Sequence, residues 1–339
     1  MRRWLPPIVL LALVAAACGG GDATATSAGN APTDAEPAGA ADLQAVAAVY
    51  PLAWVAAQVA PEAEVNLLNQ GSQEAHDLDI SPPQRAAIET ADVVLYTGDI
   101  DYQPQVEEAI PAAQGQVVNA AEVAGHDALL AASADPHAHE DEGDAHEDAD
   151  AHADEEGEAH SDEAGSVDPH LWFDPAIMAE VAGATGEAFA AADPDNAETY
   201  RQNAAAVSDD MAALGADLDA LLSGDCRFKE AIVSHAAYAY LLTPYDKAQH
   251  AVTNVSAEGD AAAGELAEIV GEIEGEGFTH VLAEPVEGRE GAEAVATETG
   301  VELLEIFPLD AVADDQAAAG LPDLVRAQAE AFSTALGCA

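Results

Sequence analysis

The sequence predicts an α/β protein of two lobes, each a four-stranded parallel sheet with flanking helices, joined by one long rigid backbone helix. Three observations carry that expectation. Short apolar runs alternate with helix-period stretches over 43–119. One apolar stripe at spacings of three and four then runs through a single long segment. The alternation returns over 231–336. Strand, helix, strand at this rhythm is the signature of right-handed βαβ units.

In the first lobe, the strand candidates are 43–50, 64–68, 92–96 and 116–119, with helices expected over 52–60, 82–90 and 104–112. The pattern then stops. Residues 133–167 hold Asp, Glu, His, Ala and Gly with no large apolar residue before Val167, the composition of a solvated, disordered loop. After Asp174-Pro175 the helical pattern resumes. Asp193-Pro194 reads as an N-cap followed by proline at the first helical position. From there Ala197, Tyr200, Ala204, Val207, Met211, Leu214, Leu218 and Leu221 form one stripe. A helix over 194–222 is roughly 43 Å long at 1.5 Å per residue. A coiled-coil seam would give the same stripe. A single unrepeated segment between two α/β halves reads better as a connecting helix packed on both. The second lobe offers strands over 231–234, 251–255, 280–284 and 303–306, with helices over 261–273, 288–299 and 321–336. The expected division is an N-terminal lobe over 41–175, a linking helical region over 176–224 and a C-terminal lobe over 225–339.

Residues 1–40 precede the first lobe. Arg2 and Arg3 form a positive start, and 5–17 is an apolar stretch of signal-peptide length, too short for a confident span. It leads into Ala15-Ala16-Ala17-Cys18-Gly19-Gly20, which resembles a bacterial lipobox with Ala15 in place of the usual leucine. Cys18 is therefore the expected lipidation site, 1–17 the removed leader, and 18–40 a flexible tether. The chain is expected on the outer face of the cell membrane, with secretion by cleavage at the Ala-x-Ala site as the alternative. In that oxidising space the two remaining cysteines, Cys226 and Cys338, are expected to pair.

The 339 residues carry 64 acidic against 9 basic side chains, a formal charge of −55 that excludes a nucleic-acid-binding footprint. Salt adaptation and a high-GC codon bias explain the acidity equally well.

Ligands of open α/β sheets gather outside the carboxyl ends of the strands. His76 follows the second strand, His170 lies in the long connection after the fourth, His235 is the first residue after the apolar core of the fifth and Asp310 follows the eighth. All four can face one cleft, and three imidazoles with one carboxylate suit a tetrahedral Zn²⁺. Glu74 and Glu284 are the alternatives for the fourth position, as is water. His126, His250 and His280 have no motif around them and are expected to be structural or exposed. His137, His139, His146, His152 and His160 form an acidic His-rich tract suited to weak auxiliary metal binding.

The phrases His76-Asp-Leu-Asp-Ile-Ser-Pro, Asp168-Pro-His-Leu-Trp-Phe-Asp-Pro, Ser234-His-Ala-Ala-Tyr and Phe307-Pro-Leu-Asp resemble those of the zinc solute-binding proteins of bacterial ABC importers, the ZnuA-like cluster. The likeness covers roughly 41–338. It departs at Ala75, where proline is usual, and at Gln70-Gly71-Ser72, where the approach is usually richer in glycine. The resemblance implies two βα lobes on a backbone helix, extracytoplasmic capture of Zn²⁺, and delivery by a monomer to a membrane permease and its ATPase. A His-rich insertion is typical of its zinc members. Manganese and iron members tend to carry a carboxylate at the position of His235, so three histidines favour zinc. A metal-buffering or adhesin-type surface lipoprotein is the alternative, as is an importer component for Mn²⁺ or another divalent metal. A zinc enzyme is not expected: there is no His-Glu-x-x-His and no general base spaced beside the histidines.

Overall fold

The computed structural model describes residues 43–70, 75–76, 78–100, 102–132, 167–253, 263–285 and 288–338. The leader and tether with Cys18, the five-histidine tract and Glu74 lie outside the described residues.

Two parallel sheets of four strands form the two lobes. The first contains β1 (Gln44–Ala47), β2 (Glu64–Leu67), β3 (Val93–Tyr96) and β4 (Gln116–Asn119), in the order β2-β1-β3-β4. The second contains β5 (Glu230–His235), β6 (Ala248–Thr253), β7 (His280–Ala283) and β8 (Glu302–Glu305), in the order β6-β5-β7-β8. The two orders are the same. In each, the winding direction reverses beside the first strand, so each lobe opens a crevice at the carboxyl ends of its first and third strands.

The helices are α1 (Tyr50–Val59), α2 (Pro82–Thr90), α3 (Pro104–Ala109), α4 (Ala120–Ala124), α5 (Pro175–Ala192), α6 (Ala197–Leu222), α7 (Ala239–Leu242), α8 (Ala263–Glu272), α9 (Arg289–Thr299), α10 (Asp314–Ala317) and α11 (Leu321–Leu336). The short α4, α7 and α10 were not expected, because four or five residues show no measurable period. Asn119 starts α4 by accepting the Ala121 N–H on its side chain at 3.1 Å. Asp174 caps α5 in the same way, accepting from Ala176 N at 2.7 Å ahead of Pro175.

The expected connecting helix begins later than its pattern suggested. Pro194–Asn196 is a 3₁₀ turn, and the α-helix starts at Ala197. Asp193 directs its carboxylate to Asn196 Nδ2 at 2.7 Å and Tyr200 Oη at 2.9 Å rather than capping the helix. The stripe ends on buried Leu222, with Leu221 only half-buried. Helix α6 touches both lobes. Its Asn203 donates to Val59 O of α1 at 2.9 Å, and its Asp217 receives Arg326 of α11 at 2.7 Å. Against α5 it packs closely: a Cβ on Gly186 would stand 2.7 Å from the Ala204 Cβ. Strand β6 starts at Ala248, three residues before the expected start, because the chain turns at Asp246, whose φ is 55°, and Ala248 N then pairs with Lys229 O at 2.8 Å.

The core follows from strands buried on both faces. On β1, Ala45 and Ala47 face a large cluster shared with α1, α5, α6 and α11, whereas Val46, with Ala48 just beyond the strand, faces a smaller one with Ile88, Val94 and Val106. On the second sheet, Ile232 and Val281 face a third cluster under α8 and α9. The large cluster is continuous from one lobe to the other. Cys226 and Cys338 are joined by a disulfide that ties the end of α11 to the segment leading into β5.

Candidate metal centre

Each histidine of the predicted set reaches the cleft from a different element. His76 stands in the loop after β2; the carbonyl of its neighbour Ala75 accepts from Gln103 Nε2 at 3.1 Å. His170 precedes a 3₁₀ turn, Leu171–Phe173, whose side chains are all buried. His235 is the last residue of β5. One ring nitrogen from each of the three lies within 4.8 Å of the others, and the ring centroids are 5.2 to 5.9 Å apart. His170 and His235 are fully buried, and His76 is partly so.

The electrostatics favour a neutral His76 ring. Burial, with the adjacent rings of His170 and His235, pushes the His76 pKa down to about 2. A neutral imidazole offers a lone pair, as a metal ligand must. The Nε2 atoms of His76 and His170 are buried and have no hydrogen-bond partner among the described residues. Buried polar atoms are rarely left so. Two lone-pair nitrogens converging without a donor fit a cation better than any protein group.

Aromatic rings wall the site. Tyr102 meets His76 edge-on at 4.8 Å, and Trp172 stands 5.3 Å from His170. The Trp172 Nε1–H donates across the lobes to Pro308 O at 2.7 Å.

Asp310 is buried on the loop after β8, and its backbone is held by the first lobe: Tyr50 N donates to Asp310 O at 2.8 Å. Its Oδ1 accepts from Ala311 N at 2.7 Å. The preceding Leu309 has φ 68°, an uncommon conformation for a bulky residue, at the turn that presents Asp310. Asp310 is not one of the three residues in the close-set group. Glu284, one of the two other carboxylates considered for the fourth position, sits behind His235. Its Oε2 is 3.3 Å from His235 Nδ1, and its Oε1 accepts from Tyr238 Oη at 2.7 Å. Asp168 is placed likewise behind His170, 2.8 Å from its Nδ1. The sequence reading did not single out Asp168 or Tyr238, although both lie inside the quoted histidine phrases.

The other described histidines are not part of the close-set group. His250 is buried against Glu272 at 2.6 Å, His280 lies 3.8 Å from Glu302, and His126 is exposed.

Fold and site together define a two-lobed α/β protein with a buried three-histidine cradle where the lobes meet. The family model of ZnuA, the periplasmic component A of the zinc-uptake complex, matches residues 45–335, and the chain belongs to that family. The zinc-binding protein AdcA of Streptococcus pyogenes serotype M3 is 25% identical over 262 residues, covering 77% of this chain and 49% of AdcA. The chain thus spans about half the length of the AdcA proteins it matches. The high-affinity zinc uptake system protein ZnuA of Bacillus subtilis is 27% identical, over 99% of this chain and 98% of that protein. The solved Zn(II)-bound ZnuA-like domain of Streptococcus pneumoniae AdcA superposes with a TM-score of 0.67 at 22% identity, covering 88% of this chain and all of that one. At that identity the likeness speaks for the fold.

Proposed function

We propose that this chain captures Zn²⁺ outside the cytoplasm and delivers it to the permease and ATPase of an ABC importer. The observation that carries the proposal is the convergence of His76, His170 and His235, with unpartnered Nε2 atoms on His76 and His170, in a chain of a zinc-uptake family. These three imidazoles are the proposed ligands, and Asp310 supplies the fourth, carboxylate position. Three nitrogens and one oxygen match the tetrahedral preference of zinc and offer less to the harder Mn²⁺. Zinc is cargo here, so the site must bind tightly yet release. Placing ligands on both lobes meets that need, because a small separation of the lobes divides the set.

Lipidation at Cys18 would hold the protein beside its permease, with 18–40 as tether and 41–175 and 225–339 as the two lobes on either side of the linking region 176–224. Among the described residues no helix is long and apolar enough to cross a membrane. The five-histidine tract would add weak sites around the tight one. Membership of a zinc-uptake family supports carriage rather than hydrolysis.

The test is metal titration of the soluble protein starting at Gly19, purified without an affinity tag. One tight zinc per chain, lost on His170→Ala, is the expected result. A tight site that survives that substitution would remove the basis of the proposal.

A further inference from the structure

Two of the three cradle histidines are backed by buried carboxylates. Asp168 is fully buried, and its Oδ1 accepts from the His170 backbone N–H at 2.9 Å as well as facing the ring Nδ1 at 2.8 Å. Its Oδ2 is buried without a hydrogen-bond partner among the described residues. Glu284, 1% exposed, faces His235 Nδ1 with Oε2 while Tyr238 Oη occupies Oε1. The Glu284 backbone N–H donates to Ser234 Oγ at 3.0 Å, which fixes the end of β7 against the end of β5. Glu284 is thus anchored at the crevice where the second sheet reverses its winding.

Burying a carboxylate is costly unless a compensating charge lies near. Asp168 gains two hydrogen bonds on one oxygen and none on the other, so its charge is incompletely met by protein groups. A divalent cation on the far nitrogen of the same imidazole would supply what is missing. A carboxylate on Nδ1 also fixes the ring proton there. That leaves the Nε2 lone pair facing the cleft and makes it a stronger donor. His170 Nε2, buried and unpartnered, is what that arrangement requires.

We infer that Asp168 and Glu284 are positioning residues of the metal centre, holding His170 and His235 in the metal-binding tautomer and strengthening them as ligands through their negative charge. The inference rests on the zinc reading above and adds a division of labour to it. His170 and His235 form a fixed, charge-backed pair, one on each side of the cleft. Tyr240 links the same two sides. It belongs to α7, just beyond His235, and its hydroxyl donates to Asp168 O at 3.1 Å while accepting from Leu130 N at 2.9 Å. The segment running from Ser234 to Tyr240 therefore carries one ligand, steadies its carboxylate, and holds the backbone carbonyl of Asp168, the residue behind the other ligand.

Asp168→Asn and Glu284→Gln separate charge from shape. Asp168→Asn keeps an oxygen for both contacts made by Oδ1, and Glu284→Gln keeps one for His235 while its NH₂ can donate to Tyr238 Oη, so a merely structural role would be largely retained. Zinc affinity would be read by competition with a chromophoric chelator, ligand field by the visible spectrum of the Co²⁺-substituted protein, and folding by the melting temperature of the metal-free form. Each substitution is expected to weaken zinc about 10- to 100-fold. The Co²⁺ bands should change, and the metal-free melting temperature should stay within a few degrees of the parent's. Affinity within about twofold of the parent in both variants would overturn the inference. So would unfolding of both metal-free variants, because the carboxylates would then be structural. His170→Ala run in parallel distinguishes the two readings. If it abolishes tight binding while the amide variants do not, only the positioning role fails; if it leaves tight binding intact, the zinc site itself is misplaced.

Discussion

Acidification should destabilise the metal-free protein through His76, by an amount the structure sets. Its pKa falls from 6.5 to about 2 on folding, chiefly through burial and secondarily through His170 and His235. Between those values the unfolded chain binds a proton that the folded chain refuses, so stability rises with pH. Above pH 6.5 this contribution is complete; below it, stability drains away by about 1.4 kcal/mol per pH unit. At pH 5.0, one and a half units below the unfolded value, the loss from this residue is about 2 kcal/mol. The size hardly depends on how far below 5 the folded pKa lies. Other groups pull the opposite way, because protonating carboxylates relieves the self-repulsion of a chain of net charge −55. The assay must therefore be a difference. Urea unfolding of metal-free parent and His76→Ala would be measured at pH 7.5 and 5.0. The substitution should cost stability at pH 7.5 and cost about 2 kcal/mol less, or even gain, at pH 5.0. If the gap between the two proteins were the same at both pH values, His76 would not be a desolvated neutral ring, and its place in the cradle would be wrong.

Three further outcomes follow from the same geometry. His235→Ala should abolish tight zinc binding, whereas His250→Ala, which touches the separate pair with Glu272, should leave the zinc dissociation constant within a few-fold of the parent's. Deleting 137–160 should remove weak sites seen by equilibrium dialysis and keep one tight zinc per chain; loss of the tight site would move the centre into the tract. Reducing the Cys226–Cys338 bridge, which closes a loop with a sequence separation of 112, should release about 5 kcal/mol of chain-entropy stabilisation. The metal-free melting temperature should then drop on the order of 10 °C, while zinc bound to the holo protein stays in place, since neither cysteine is among the proposed ligands.

Much of this molecule was written in its periodicities. All eight strands overlap the short apolar runs that predicted them, with ends shifted by up to three residues, and the central Val93-Val94-Leu95-Tyr96 is apolar throughout because it is buried on both faces. The stripe from Tyr200 to Leu218 fixed the long helix for the same reason: only one face of it meets the core. The three histidines were legible because each sits where a parallel strand or its connection delivers residues to the crevice. What sequence spacing could not carry was distance across the fold. Whether Asp310 or Glu284 lies beside a cradle histidine depends on how the loop after β8 and the end of β7 are held. That is decided by Tyr50 N on Asp310 O, by Trp172 Nε1 on Pro308 O, and by Ser234 Oγ on Glu284 N, all between residues far apart in the chain. Short helices such as α7 escaped notice because four residues make one turn, and tertiary contacts rather than propensity hold them. The charge-backed pairing of Asp168 with His170 and Glu284 with His235 belongs to the same class of fact. A carboxylate two residues away and another forty-nine away do the same work, and only packing brings the second one home.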